Sequence, residues 1–189
     1  MIRLLSIIAL VSLVACKEEA LQDVSPLPLT AEAVGHFCQM NLFEHEGPKA
    51  QAHLGGLPQM PLFFSQVRDV IAYARLPEQT QEILAVWVND MGAQGATWSD
   101  PGNNNWIAAD EAHYVVGSQM VGGMGAPDFV PFSDSAKADV FAALNGGLVM
   151  RLAEIPDDAV LSPVALDGDS DDADFELRLR ALSGTSGDQ

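Results

Sequence analysis

The chain carries one pattern of secondary structure twice, and this duplication limits the folds available to it. Phe64-Ser65 precedes Asp69-Val70 in the first half, and Phe132-Ser133 precedes Asp139-Val140 in the second. In each half two short apolar runs lead into a segment with helical spacing, and a further apolar run follows. We therefore predict the α+β class, with two similar ββαβ modules whose helices pack on a largely antiparallel sheet.

Turn-forming residues divide the chain into predicted elements. Strands are predicted at 50–54, 61–64, 83–88, 106–107, 112–116, 129–132 and 148–152, and helices at 65–76 and 133–144. Ser65 and either Ser133 or Asp134 are the expected helix caps. The continuous apolar run 83–88 is typical of a central strand buried on both faces. The long polar loop 91–105 is expected to be either functional or a mobile surface excursion.

The N-terminus has the features of a lipoprotein signal. Arg3 is followed by an apolar run at 4–14, and the small Ala15 stands directly before Cys16. This run is well short of the ~20 residues that span a bilayer, although a short transmembrane anchor is the alternative. We predict that residues 1–15 are a signal peptide and that Cys16 becomes the acylated first residue of the mature chain.

Composition divides the rest of the chain into four segments. Polar and proline-rich residues at 16–30 predict a flexible tether. The first module is expected at 31–97, where it carries the metal motif described below, and the second at 98–160. Residues 161–189 are acidic and end in a run rich in Ser and Gly, which predicts a disordered tail. A Ca²⁺ loop at 167–171 is the alternative for part of that tail.

The net charge excludes some partners. The formal charge is −17 at pH 7. Nucleic-acid binding requires a basic face, so this class of partner is not expected. Electrostatic docking on anionic lipid headgroups is disfavoured for the same reason, and membrane contact is expected through the acyl chains at the N-terminus.

A cysteine, a methionine and a histidine lie close together in the first module, at Cys38, Met40 and His45. Soft sulfur ligands favour Cu(I) over hard cations such as Mg²⁺. A strand-like Cys-x-Met would place both sulfurs on one face. If Cys16 carries lipid, Cys38 has no internal disulfide partner, and an unpaired thiol in an oxidising compartment is a candidate ligand or nucleophile. The alternative is that these residues pack in the core.

Further soft ligands lie elsewhere in the chain. Met91 follows a predicted strand, and Met124 belongs to a glycine-rich run. Each is expected either to complete a metal site or to pack, and His36 is a reserve ligand. No G-x-S-x-G or H-E-x-x-H motif is present in the sequence, so no enzyme is predicted. A Cys38 nucleophile with a His45 base is the open alternative.

Several segments, in order, resemble the NosL family of lipid-anchored accessory proteins for nitrous oxide reductase. The matching segments are FCQMNLFEHEGPKAQAHL, PLFFSQVRDVIAYARLPE, VWVNDMG, the loop between Trp98 and Trp106, GGMGAPDFVPFSD and ALNGG. Together they extend over about residues 33 to 160. The resemblance implies two ββαβ modules similar to the organomercurial lyase fold, which agrees with the repeat described above.

The resemblance also implies a function. It implies a Cu(I) chaperone anchored by lipid on the periplasmic face of a Gram-negative membrane. Its expected partner is nitrous oxide reductase, its membrane assembly complex, or both. The copper-binding Cys and Met of the family correspond to Cys38 and Met40. His45, Met91 and Met124 lie in matching segments and are the candidate third ligands, in that order.

Three other classes are open at this point. A blue-copper electron-transfer protein needs paired His ligands that are not evident in the sequence. An enzyme of the organomercurial-lyase type needs a thiolate pair, and acylation of Cys16 removes one thiol. A purely structural lipoprotein would bind no metal.

Overall fold

The computed structural model describes residues 21–162. The predicted signal peptide, the predicted acylation site Cys16 and nearly all of the predicted acidic tail lie outside these residues. The described elements are β1 (Ala50–Leu54), β2 (Leu62–Phe64), α1 (Val67–Arg75), β3 (Ile83–Asn89), β4 (Trp106–Ala108), β5 (His113–Val116), β6 (Val130–Phe132), α2 (Ser135–Asn145), β7 (Leu148–Arg151) and α3 (Asp157–Leu161), with 3₁₀ turns at Leu42–Glu44 and Leu152–Glu154. The predicted elements are thus found within a few residues of their expected positions.

Two antiparallel sheets repeat one topology, which confirms the predicted α+β fold. The first sheet has the strand order β2-β1-β3-β4, and the second has β6-β5-β7. In each, the first strand of a ββαβ unit lies between the second strand and the strand that follows the helix. Every strand pair in these sheets is antiparallel.

The last strand of the first sheet comes from beyond the predicted module boundary. In the pairing of β4 with β3, Ala108 lies opposite Trp87. The division at 97/98 therefore separates a strand from the sheet to which it belongs, and the second ββαβ unit begins at β5. The pairing of β3 with β4 corrects this boundary. Composition does not show which strands pair when they are distant in sequence.

The prediction that β3 is buried on both faces is only partly correct. β3 is central, since it lies between β1 and β4. Val88 and Asn89 are fully buried, but Leu84 is 37% exposed. Burial increases along β3 toward its C-terminal end, and only its last two residues are fully enclosed.

β1 is covered on both faces. Ala50 and Ala52 belong to the main core, and strand alternation turns Gln51 and His53 to the opposite face. Both polar side chains are also fully buried. The Gln51 amide donates to the Leu27 carbonyl at 2.9 Å and its oxygen accepts from the Leu27 N–H at 2.9 Å.

The segment 22–29, which we call the N-terminal strap, forms this cover. Gln22 Nε2 donates to the Leu54 carbonyl at 2.9 Å, and the indole N–H of Trp87 donates to the Val24 carbonyl at 2.8 Å. Leu29 is buried beneath the 3₁₀ turn. The predicted flexible tether at 16–30 is therefore corrected for residues 22–29, which are fixed to β1 and β3. A proline-rich polar composition does not reveal partners distant in sequence.

The two modules share one core. Phe64, Val67 and Val70 from the first module pack in one cluster with Tyr114 and Phe129 from the second. A smaller cluster lies between β5, β6 and α2. Among the described residues, no helix exceeds eleven residues, and none is long and apolar enough to cross a bilayer.

The helix caps differ from expectation in one module. Asp134 caps α2 by accepting from the Ala136 N–H at 2.9 Å, as predicted. Ser65 is not the cap of α1, because the N-cap position is Gln66, whose side chain makes no cap bond. Asp128, from the second module, instead accepts from the Arg68 N–H at 3.0 Å. Because Asp128 belongs to the second module and Arg68 to the first, this hydrogen bond links the two modules.

Candidate metal centre

Cys38 and Met40 lie on a short projecting loop, residues 35–40, which we call the Cys38 loop. Val34 and Asn41 form an antiparallel bridge at its base. The Gly35 N–H donates to the Met40 carbonyl at 3.0 Å, and the Gln39 N–H donates to the Gly35 carbonyl at 2.9 Å. The two sulfur residues are therefore held in a tight reversal of the chain.

The predicted strand-like arrangement of Cys-x-Met is wrong. Gln39 has a φ of 55°, which places it in the left-handed region that L-residues rarely occupy. The chain reverses between the two sulfur residues, so their side chains are not related by strand alternation. The Cys38 Sγ lies 4.0 Å from the Met40 carbonyl oxygen, which keeps the thiol beside the backbone of Met40.

Aromatic packing fixes the loop against the first module. The ring centroids of Phe37 and Phe64 are 5.5 Å apart, and those of His36 and Tyr73 are 5.4 Å apart. Edge-on contacts of this kind stabilise beyond simple burial. A side chain on Gly35 would overlap the Cys38 Sγ, so glycine allows the thiol to lie over the backbone.

The sulfur residues are accessible. Cys38 is half-buried and is the free cysteine of the described residues. Met40 is 42% exposed. Thiol and thioether therefore lie at the surface, where a metal ion could be received from one protein and passed to another.

His45 is held in an orientation suited to metal binding. It is 9% exposed, and its Nδ1 lies 3.0 Å from the Gly123 carbonyl oxygen. A carbonyl only accepts, so Nδ1 carries the proton. The buried Nε2 has no hydrogen-bond partner. In the neutral ring Nε2 then holds the free lone pair, which is the arrangement that backbone carbonyls impose on metal-binding histidines.

The partner of His45 comes from the loop 117–129, which joins β5 to β6 and which we call the glycine-rich loop. A methyl group on Gly123 would overlap the Cβ of His45. The close approach thus requires glycine. Met124 follows Gly123 directly in the sequence and is 43% exposed.

Lys49 is a buried cation that the sequence reasoning missed. It is 2% exposed, and its Nζ donates to the carbonyls of Glu46 and Gly47. Burial lowers the pKa of Lys49 to about 8, and the negative charges of Asp128, Glu46 and Cys38 oppose that shift. Lys49 and Cys38 are therefore in one electrostatic neighbourhood. No local sequence signal distinguishes this lysine from a surface lysine.

Asp128 is a buried carboxyl at the junction of the modules. Its Oδ1 accepts from the N–H groups of Arg68 and Phe129, whereas Oδ2 is buried without a partner. Burial raises the pKa of Asp128 to about 7 against the lowering effect of these N–H groups, and the nearby Asp69 charge raises it further. The charge of Lys49 acts in the opposite direction and favours the ionised form of Asp128.

The remaining candidates lie in different surroundings. Met91 packs against the second core cluster, below α2. His36 packs among Phe37, Phe64 and Tyr73. Thus the structure joins Cys38 with Met40, and His45 with Gly123, while Met91 is in a packing environment.

A cleft of about 460 Å³ opens beside His45 and Lys49. Its other wall is formed by residues 99–103 of the long polar loop, and its floor by Leu29 and Leu42. That loop is tied down, since the side-chain amide of Asn105 donates to the carbonyls of Asp90 and Pro101 at 2.8 Å. The expectation of a mobile excursion is therefore wrong for this end of the loop.

The donor set is unlike that of a closed structural metal site. Within residues 21–162, no group of three or more His, Cys, Asp or Glu is arranged to hold a metal ion. The available donors are one thiol, exposed thioethers and one preset imidazole. Such soft, sparse ligands fit Cu(I), which tolerates low coordination, and do not fit Mg²⁺ or Ca²⁺.

Comparison with known proteins shows the family of this chain. The family model described as NosL matches residues 26–160. A copper-binding lipoprotein NosL from Achromobacter cycloclastes is 57% identical over 181 residues, which cover 95% of this chain and 93% of that protein. A second copper-binding lipoprotein NosL, from Stutzerimonas stutzeri, is 31% identical over 165 residues, covering 86% and 83%.

The fold of this chain is similar to that of a solved structure. The crystal structure of the copper chaperone NosL from Shewanella denitrificans aligns with a TM-score of 0.63 and 28% identity, covering 69% of this chain and 94% of that one. Both the family model and the relatives extend over the Cys38 loop and the glycine-rich loop. The chain therefore belongs to the NosL family.

Proposed function

We propose that this protein is a copper chaperone that carries Cu(I) on the Cys38 loop, anchored by lipid on the periplasmic side of the membrane. It is a carrier and not an enzyme. The observation that carries the proposal is the combination of an accessible Cys38–Met40 pair with a His45 whose Nε2 is buried and unpartnered. The copper-binding names of the relatives support the identity of the cargo.

Cys38 and Met40 supply the two sulfur ligands, and His45 Nε2 is the proposed third. Thiolate and thioether are soft donors that select Cu(I). The Gly123 carbonyl already holds the His45 proton on Nδ1, so no tautomer change precedes binding. Met124 is the alternative third ligand, since the glycine-rich loop places it next to the glycine that contacts His45.

An exposed site with few ligands suits transfer. Because Met40 is 42% exposed, an acceptor ligand can approach the ion before a donor ligand departs. The exchange then passes through a shared coordination sphere, and free copper is not released. The proposed acceptor is nitrous oxide reductase or the membrane complex that assembles it.

An anaerobic competition titration with a chromophoric Cu(I) chelator tests the site. We expect Cys38→Ser to abolish competitive binding and Met40→Leu to weaken it strongly. Met60→Leu is the matched control, because Met60 is also an exposed methionine of the first module, at 64% exposure. Equal affinities for the Met40 and Met60 variants would overturn the assignment of Met40.

X-ray absorption of the copper-loaded protein distinguishes the third ligand. Two sulfur scatterers and one nitrogen are expected for His45, and three sulfurs for Met124.

A stable, intensely coloured Cu(II) form would instead favour electron transfer and would refute the chaperone. Delivery is tested by reconstituting apo nitrous oxide reductase with the loaded protein in the presence of excess chelator.

A further inference from the structure

The N-terminal strap fixes where the chain leaves the folded domain. Gln22 is held at the connection between β1 and β2, because its amide donates to the Leu54 carbonyl at 2.9 Å and its oxygen accepts from the Gly56 N–H at 3.1 Å. Cys16 precedes Gln22 by six residues. An extended chain covers at most about 3.5 Å per residue, so the acylated end lies within roughly 20 Å of this connection.

The Cys38 loop lies at the opposite end of the same sheet. In the pairing of β1 with β2, Phe64 lies opposite Ala50, at the far end of β1 from Leu54. Gly35 bridges Phe63 in parallel, so the chain enters the loop in the direction of Phe64. Phe37 then packs on Phe64. β1 separates its two ends by about 13 Å at ~3.3 Å per residue, and the base of the loop lies level with Phe63, near the end that is farther from Leu54.

The end nearest the anchor exposes apolar side chains. Leu21 is 98% exposed and Met60 is 64% exposed. The charged groups beside them are acidic: Asp23 accepts from Ser25 and Gln59, and the Glu82 side chain lies against Gly55. Acidic groups are repelled by anionic headgroups, so this end fits a zwitterionic phospholipid surface.

We propose that the anchored domain lies with its β1–β2 connection on the bilayer and with the Cys38 loop directed away from it. This inference rests on the proposed acylation of Cys16. It goes beyond copper binding, because it assigns the membrane-facing surface and the direction from which an acceptor approaches. The acceptor then meets the loop on the aqueous side, through a soluble protein or an extramembrane portion of a complex.

Collisional quenching in proteoliposomes tests the orientation. Full-length acylated protein carrying Cys38→Ser receives one fluorophore, either at Met60→Cys or at Met40→Cys. The vesicles are phosphatidylcholine with a headgroup nitroxide lipid. The two sites are a matched pair, since each replaces an exposed methionine of the first module. We expect quenching at position 60 to exceed that at position 40 several-fold.

A variant of the N-terminal strap tests whether Gln22 sets the orientation, and a mass measurement tests whether the protein is acylated. Gln22→Ala removes both bonds to the β1–β2 connection, so the difference between the two labels should shrink. Equal quenching in the parent protein, or stronger quenching at position 40, overturns the orientation while leaving copper binding untouched. An intact mass without the acyl groups overturns the anchor itself, and this inference with it.

Discussion

The two modules have the same ββαβ topology but differ in what surrounds it. In the first module, β1 and β2 are joined by residues 55–61, and β1 is preceded by the Cys38 loop and His45. In the second, the corresponding connection between β5 and β6 is longer, 117–129, and crosses to contact His45. The proposed copper ligands therefore lie in segments outside the repeat, while the repeat supplies the frame that carries these segments.

The helices of the two modules also differ, in how many of their side chains are buried. α1 buries Val67, Val70 and Ile71 in the shared core, whereas α2 buries only Ala138 among its described residues. Val140 and Leu144 on α2 are largely exposed. α1 thus contributes more than α2 to the burial that holds the two modules together.

The largest expected effect is on the free energy of unfolding, when a substitution in α1 is compared with one in α2. We expect Ile71→Ala to lower the free energy of unfolding by about 2 to 5 kcal/mol, because it leaves a cavity in the shared core. Leu144→Ala removes a side chain that is 78% exposed, and its effect should stay within about 0.5 kcal/mol. Chemical denaturation measures both. Similar losses would show that α2 is covered in the native protein and that the asymmetry is not real.

Asp128 gives a pH-dependent test of the junction. Its pKa is raised from the ordinary 3.8 to about 7 in the folded protein. The folded state therefore binds this proton more tightly than the unfolded chain does, and the free energy of unfolding should fall as pH rises from about 4 to about 7. Asp128→Asn retains an oxygen acceptor for the Arg68 N–H and removes the titration.

The expected difference between wild type and Asp128→Asn grows across that window to about 2 to 4 kcal/mol in favour of the variant. Urea unfolding at several pH values measures it. A difference that does not change with pH would mean that the Asp128 carboxyl titrates normally, and that the junction is more open than described. Lys49 has a folded-state pKa of about 8. The unfolding measurements should therefore stop near pH 7, so that deprotonation of Lys49 does not contribute to the difference.

Gly123 tests whether the glycine-rich loop sets the copper ligand. A methyl group at this position would displace the Gly123 carbonyl from His45, so Cu(I) affinity should fall roughly tenfold, equivalent to 1.4 kcal/mol. Gly125→Ala is the control, since it introduces backbone strain in the same loop but has open space around it. ¹⁵N NMR of the apo protein reads the His45 tautomer directly. Unchanged tautomer and affinity in the Gly123 variant would show that the close approach of Gly123 does not set the His45 ligand.

The smallest effect is expected at the cap of α2. Asp134→Ala should destabilise the protein by about 1 kcal/mol, and Asp134→Asn should restore most of that loss. Because α2 is capped within its own module, neither variant should alter Cu(I) affinity. Hydrogen exchange of α2 and a chelator titration measure the two quantities. A change in affinity would show that the modules are coupled through α2 as well.

Local patterns were sufficient for most of the elements. Short apolar runs located β1, β2 and β5, and Asp134 was found as a cap because side-chain and backbone partners lie two residues apart. Sequence similarity led to Cys38 and Met40. The errors concern long-range partners: Ser65 was predicted as the cap of α1, whereas Asp128 accepts from the Arg68 N–H, and residues 22–29 were predicted to be part of a flexible tether. The left-handed Gln39 was missed, since glutamine carries no local signal for a positive φ.

By itself the sequence determined the class of fold and the family, and it predicted the sulfur ligands and the lipid anchor, because each of these depends on residue types at short spacing. Only the tertiary structure decided which groups meet. It brought the Gly123 carbonyl to His45 across 78 residues, buried Lys49 and Asp128 near one another, and fixed Gln22 at the end of the sheet opposite the Cys38 loop. These contacts depend on how two modules and a strap pack around one core, and no local pattern along the chain encodes that packing.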